Sequence, residues 1–281
     1  MTRFTLFFAI LSASGIALAF PTSNLAELRE TNPVASQASD SYDYWGIVAL
    51  DDCSGSLVRF EKSLPSDAAM VLTNGHCNEN GMPEAGVIQQ NIASSRSFDL
   101  LGHNAESIGS VTAEMIMIST MTKTDVTLYR LTESFSGIQS KYGVTPLTIS
   151  SRHPVVGAPL EILSGYWRKG YSCDVDKFIY RLKEDAWTMN DSIRFTEPGC
   201  ETIAGTSGSP LIDPVQRQII GINNTGNESG EKCTLDNPCE VDSSGKIFAQ
   251  KGLSYGQQTY WLNTCLDKQR QVDLRVPGCQ Y

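Results

Sequence analysis

Three histidines stand in the 281-residue chain, His76, His103 and His153, and the setting of one suits a proton carrier. His76 ends the apolar run AAMVLTNGHC, directly before Cys77. An imidazole with an ordinary pKa near 6.5 can take up and return a proton at neutral pH. The second chemical stretch is GTSGSP, residues 205–210. A serine there can serve as a nucleophile, with the glycines shaping the backbone around it. A polar turn is the alternative, because small polar residues gather in turns. A serine hydroxyl is a poor nucleophile at neutral pH and needs a base within hydrogen-bond reach. His103, in LLGHNAES, and His153, in SSRHPVV, lack a distinctive setting and read as structural or solvated.

Base and nucleophile lie far apart in the chain, so a scaffold must bring them together. From Tyr44 onward short apolar or alternating runs recur: WGIVAL, CSGSLVRF, AAMVLT, AEMIMI, VTLYRL, PLEILSGY, KFIYRL, SIRF, PLID and QIIGI. Gly, Asn, Asp, Ser and Pro separate them. They read as β-strands, and many short strands at this spacing imply a sandwich or barrels. A Cys53–Cys77 bridge would tie CSGSLV to the strand that ends at His76 and fix where the imidazole points. Its loop of about 25 residues corresponds to roughly 3 kcal/mol by chain entropy. One helix is expected in QQTYWLNTCLDKQRQ, where Trp261/Cys265 and Leu262/Leu266 stand four apart. No internal repeat is present.

The ordered set CSGSLV, LTNGHC, KTDVTLYRL and GTSGSP resembles the chymotrypsin-like (trypsin-like) serine peptidases. Those carry a CGGSL-type strand, a TAAHC-type histidine turn, an Asp before an apolar strand, and a GDSGGP nucleophile turn. The run SGSPLIDPVQRQIIGI is closer to secreted bacterial-type members such as the glutamyl endopeptidases. The resemblance extends from about Trp45 to Gly226. It implies an all-β fold of two six-stranded antiparallel β-barrels with a C-terminal helix, the active site lying in the cleft between the barrels. It implies His76 as general base and then acid, Asp125 as the carboxylate that orients it, and Ser207 as nucleophile. The N–H groups of Gly205 and Ser207 would form the oxyanion hole. Asp99 is a rival to Asp125 but lies closer to His76 than the family's spacing suits. Thr206 and Ser209 are rivals to Ser207. A GxSxG elbow is broken at Ser209 and lacks βα surroundings.

Thr206 departs from the family, since trypsin has an Asp there that pairs with a new N-terminus. That ion pair is unavailable here. The residue six before Ser207 is Glu201, and at the base of a pocket it would favour Lys or Arg before the scissile bond. Thr202, Asn223, Asn224, Thr225 and Gly226 would line the same pocket. Glutamyl endopeptidases often have a His where Asn223 stands, which weakens the case for glutamate preference. Glu201 facing solvent is the alternative.

The first residues, MTRFTLFFAILSASGIALAF, have a positive start, an apolar run and the small-x-small pattern Ala17-Leu18-Ala19. Residues 1–19 are therefore expected to be a signal peptide, 20–43 a propeptide or flexible lead-in, and 44–281 a peptidase domain with barrels at about 44–145 and 146–281. The protein is expected to be secreted, extracellular or periplasmic, with no membrane association after signal cleavage. Eight cysteines after such a segment suggest disulfides. Pairing between sequence neighbours is the simplest arrangement: Cys53–Cys77, Cys173–Cys200, Cys233–Cys239 and Cys265–Cys279. Neither a CxxC pair nor a zinc-spaced cluster is present, so no metal and no cofactor are expected. The formal charge is −9, without a Lys/Arg cluster, and argues against nucleic acid as partner. The acidic segment GNESGEKCTLDNPCEVDSSGK reads as a solvated loop, with calcium held by Glu228, Glu231, Asp236, Glu240 and Asp242 as the alternative. Asn190, Asn223 and Asn227 head N-x-S/T sequons. The function expected is a monomeric secreted serine endopeptidase acting on protein or peptide substrates, with a preference for Lys or Arg. A non-catalytic binding protein on the same fold and a secreted esterase are the alternatives.

Overall fold

A computed structural model describes residues 42–281. The expected signal peptide and most of the lead-in lie outside the described residues. Tyr42 and Asp43, at the end of the lead-in, are anchored. Tyr42 shares a hydrogen bond with Ser172 Oγ at 2.8 Å, and the Asp43 carboxylate meets Arg217 at 3.0 Å.

Six strands close the first barrel: β1 (Ile47–Ala49), β2 (Ser54–Arg59), β3 (Ala68–Thr73), β5 (Ser97–Leu101), β6 (Ser107–Thr120) and β7 (Val126–Ser134). They pair in the ring β1-β2-β3-β7-β6-β5, and β5 returns to β1 at Val48–Leu100. β4 (Ile88–Ala93) lies outside the ring on β6. A second ring runs through β9 (Pro159–Ser164), β10 (Lys169–Glu184), β11 (Trp187–Phe195), β16 (Ser254–Gln258), β13 (Gln218–Gly226) and β12 (Pro210–Asp213). β12 closes it onto β9 at Leu211–Ile162. Every pairing in both rings is antiparallel. β8 (Leu147–Ile149) joins the barrels by pairing in parallel with β2 on one side and β13 on the other. β14 (Cys239–Val241) extends β10, and β15 (Ile247–Phe248) extends β14.

Leu57, Val71, Leu72, Ile116, Ile118 and Leu128 are fully buried in and around the first barrel. Leu160, Ile162, Val175, Ile193 and Leu211 form the smaller core of the second. Within each ring every strand is paired on both sides, which leaves no free edge in the ring itself.

Two helical segments differ in extent from the sequence expectation. The C-terminal one is a six-residue 3₁₀ helix, Tyr260–Cys265, rather than a helix through the whole QQTYWLNTCLDKQRQ run. Leu266 turns extended and bridges Val272, which carries the chain back so that Cys265 meets Cys279. An α-helix, α1 (Phe135–Tyr142), stands where the sequence reading has none. Ser134 caps it by accepting from the Gly137 N–H, and Gly143 closes it in the left-handed conformation.

Candidate active site

His76 leaves β3 in the turn Asn74-Gly75-His76. The carboxylate of Asp125, just before β7, organises that turn. Asp125 Oδ1 accepts the backbone N–H groups of Gly75 and His76, the latter at 3.1 Å. Asp125 Oδ2 lies 2.7 Å from His76 Nδ1. Asn74 Nδ2 donates to the Asp125 carbonyl at 3.0 Å. With the Nδ1 proton committed to Asp125, the Nε2 lone pair is left to act. The Asp125 side chain is 1% exposed and the His76 side chain 19%, so the ring borders solvent while its partner is sealed. Burial opposes the imidazolium, but the charge and hydrogen bond of Asp125 outweigh it, with Glu184 and Asp52 adding. The His76 pKa therefore lies above its ordinary value. Only glycine fits at Gly75: a Cβ there would stand 2.2 Å from the Thr120 carbonyl oxygen and 2.8 Å from Asp125 Oδ1.

Ser207 sits in the turn that enters β12. Cys53 and Ser54 join this turn to the histidine turn. Cys53 is bonded to Cys77, and the Ser54 N–H donates to the Ser207 carbonyl at 2.8 Å. Ser54 Oγ donates to the Gly205 carbonyl at 3.1 Å. Gly205 takes φ +85°, left-handed backbone that glycine adopts without strain. The N–H groups of Gly205 and Ser207 donate to nothing among the described residues. Trp167 Nε1 donates to the Ala204 carbonyl at 2.7 Å. Thr206 is buried, and Asn223 Nδ2 reaches its carbonyl and its hydroxyl at 3.1 Å each. A neutral amide thus braces the turn at the position where trypsin uses an ion pair. Ser207 Oγ donates to the Asn224 carbonyl at 3.2 Å and makes no hydrogen bond to His76.

His76, Asp125 and Ser207 line one cleft of about 770 Å³, with residues from both barrels. Glu201, Thr202, Gly205, Asn223, Asn224 and Thr225 line it as well. Glu201 is exposed, and its Oε2 accepts the Gly199 N–H at 3.1 Å. Asn223 Nδ2 donates to Thr206, while its Oδ1 has no hydrogen-bond partner among the described residues. Asp99 is elsewhere, with Ser107 and Arg168. His103 stacks on Trp45 and pairs with Asp43, while His153 bonds Asp191 at 2.9 Å.

The four disulfides join Cys53–Cys77, Cys173–Cys200, Cys233–Cys239 and Cys265–Cys279. Ligand atoms of Cys53, Cys77 and His76 lie within 4.8 Å of one another, but both sulfurs are bonded together. The acidic segment does not converge on a cage, since Glu240 pairs with Lys177 and Arg194 and Asp242 caps its own turn. Of the three sequon asparagines, Asn190 is exposed. Asn223 and Asn227 are buried, and the Nδ2 of each donates within the protein.

Two site residues were absent from the sequence reading, Trp167 and Glu184. Glu184 ends β10, is 6% exposed and lines the cleft. Thr225 Oγ1 donates to it at 3.1 Å and the Asp236 N–H at 2.9 Å. Burial is the main force that pushes its pKa up to about 7. In sequence it is one acid in the charged run RLKEDAW, without a local signal.

No curated protein sequence matches the chain. Solved structures do. The MamO protease domain from Magnetospirillum magneticum is 13% identical, with a TM-score of 0.46 over 78% of this chain and 94% of that one. A Glu endopeptidase is 17% identical, with a TM-score of 0.45 over 80% and 88%. A Nocardiopsis protease is 16% identical, with a TM-score of 0.45 over 77% and 92%. The sequence profile of the trypsin-like peptidase domain matches residues 53–222. That span is more than half the chain and holds both turns of the cleft; the protein belongs to the trypsin-like peptidase domain family.

Proposed function

We propose that the protein is a secreted serine endopeptidase working through a Ser207–His76–Asp125 acyl-enzyme mechanism. The observation that carries this reading is the Asp125–His76 hydrogen bond in the cleft that Ser207 also lines. In the first step the Ser207 hydroxyl turns from the Asn224 carbonyl to His76 Nε2. Hydrogen bonds of this kind are commonly loose before substrate binds. Ser207 Oγ then bonds to the scissile carbonyl carbon, and its proton passes to Nε2. The carbonyl oxygen becomes an oxyanion facing the unengaged N–H groups of Gly205 and Ser207. Collapse breaks the C–N bond, and the leaving amine takes the proton from His76. Water then attacks the acyl ester, gives its proton to His76 and frees the acid as Ser207 regains a proton.

Four disulfides, together with the signal-like N-terminal sequence, support export. Among the described residues no helix is long and apolar enough to cross a membrane. A preference for Lys or Arg is supported by the acidic lining of the cleft, which includes Glu201.

The test is Ser207→Ala. It is expected to abolish peptide cleavage and labelling by an organophosphorus probe, with the folded state retained by circular dichroism. Full activity in that variant would refute the reading.

A further inference from the structure

Glu184 is a cleft carboxylate that this mechanism does not use. Both hydrogen bonds to Glu184, from Thr225 Oγ1 and the Asp236 N–H, end on Oε1. Oε2 accepts no hydrogen bond among the described residues, and no Lys or Arg pairs with this side chain. A carboxylate more than nine-tenths buried with one oxygen unpartnered is costly unless something meets it. An apolar residue would fill a merely structural position more cheaply. The surroundings point to what meets it. Glu197, Glu201, Glu228 and Asp236 line the same cleft, and among the described residues Lys251 is the one Lys or Arg that lines it. Low-dielectric walls focus such a field on a cation.

We propose that Glu184 is the specificity carboxylate of this cleft and that its free Oε2 receives a Lys or Arg side chain of the substrate. The proposal rests on the peptidase reading for the substrate being a peptide. Glu201 is the poorer receptor. It is exposed, where water screens its charge, and its Oε2 is already turned back onto the Gly199 N–H. Glu184 is held by two donors on one oxygen, its other oxygen is unpartnered among the described residues, and the residue lines the cleft that His76 and Ser207 share. A long basic side chain would bring the charge and donors, and its alkyl stem would cover the cleft wall.

Binding separates this proposal from turnover. Ser207→Ala protein is titrated calorimetrically with hexapeptides in which a single Lys is moved along the chain, each paired with its norleucine counterpart. At one position Lys is expected to bind tighter than norleucine. Adding Glu184→Gln is expected to cut that preference by about tenfold, as for loss of a charge-assisted hydrogen bond. Glutamine keeps the size and the Oε1 acceptor for Asp236 and Thr225, so the local fold has no cause to change. Adding Glu201→Gln instead is expected to leave the preference in place. The proposal is overturned if no position favours Lys, if Glu184→Gln leaves the preference intact, or if only Glu201→Gln removes it. The peptidase reading fails by a different result: Glu184-dependent Lys binding in a protein whose Ser207 form cleaves none of these peptides.

Discussion

A trans peptide points its C=O and N–H in opposite directions. By holding the Ala204 carbonyl at 2.7 Å, Trp167 turns the following N–H, that of Gly205, the other way. In the proposed mechanism that N–H must be aimed before the oxyanion forms, because a preset donor costs no reorganisation during reaction. Trp167→Phe keeps the ring and removes the donor. Losing one neutral hydrogen bond of about 1.4 kcal/mol should lower kcat about tenfold while KM changes little. Steady-state kinetics on one peptide checks this, and an unchanged kcat would reject the role. His76 gives a second residue-scale test. Its raised pKa means the imidazolium persists above pH 6.5, and only the neutral ring can accept the serine proton. The acid limb of the kcat/KM profile is therefore expected to have its midpoint above 6.5; a midpoint below that value contradicts the Asp125 contribution. Legibility divides at this scale. His76 and Ser207 stand in short motifs with punctuating Gly and Cys, so the sequence brings them forward. Trp167 and Glu184 take their roles from partners distant in the chain, Ala204 for one and Thr225 with Asp236 for the other, and no local pattern marks them.

At the scale of elements, the segment after the last strand braces the aspartate turn. The 3₁₀ helix ends at Cys265, whose bridge to Cys279 brings Tyr281 against the loop that leads to Asp125. Tyr281 Oη donates to the Thr122 carbonyl at 2.7 Å, and the Lys123 ammonium lies 5.0 Å over the Tyr281 ring. Removing the bridge with Cys265→Ser/Cys279→Ser should cost about 2–3 kcal/mol of stability, as for a loop of this length. Urea denaturation of the double variant measures it; a midpoint equal to that of the parent would show that the tail contributes nothing. The strands were readable from alternation and β-branched content because each buries one face of a barrel. α1 was not, since eight residues with Gly137 among them carry only two buried side chains, Phe135 and Ile138. Its signature lies instead in the caps, Ser134 and Gly143. The C-terminal helix is shorter than the spacing of Trp261, Leu262, Cys265 and Leu266 suggests, because the Cys265–Cys279 bridge requires the chain to turn back.

For the whole molecule, barrels follow from many strands separated by turn residues, but which strand returns to which depends on contacts between residues far apart, such as Val48–Leu100 and Leu211–Ile162. The same closure confines Glu184 and His76 in one cleft and so sets how stability depends on pH. Glu184 titrates near 7 when folded and near 4.5 when unfolded, so the folded protein holds its proton longer. A carboxyl with a raised pKa favours folding while protonated, and that contribution fades as pH rises from about 4.5 through 7. His76, also raised, contributes stability below 6.5 that is lost as pH climbs through its folded value. Both slopes have the same sign, because the folded state binds more protons than the unfolded state across this window. The formal charge of −9 at pH 7 adds self-repulsion in the same direction. Stability is therefore expected to fall between pH 5 and pH 8, with Glu184 accounting for up to about 3 kcal/mol by its shift alone. Urea midpoints across that range test it. Glu184→Gln should flatten the curve, gaining most over the parent at pH 8 and least at pH 5; parallel curves for the two proteins would mean that Glu184 is not the group that titrates.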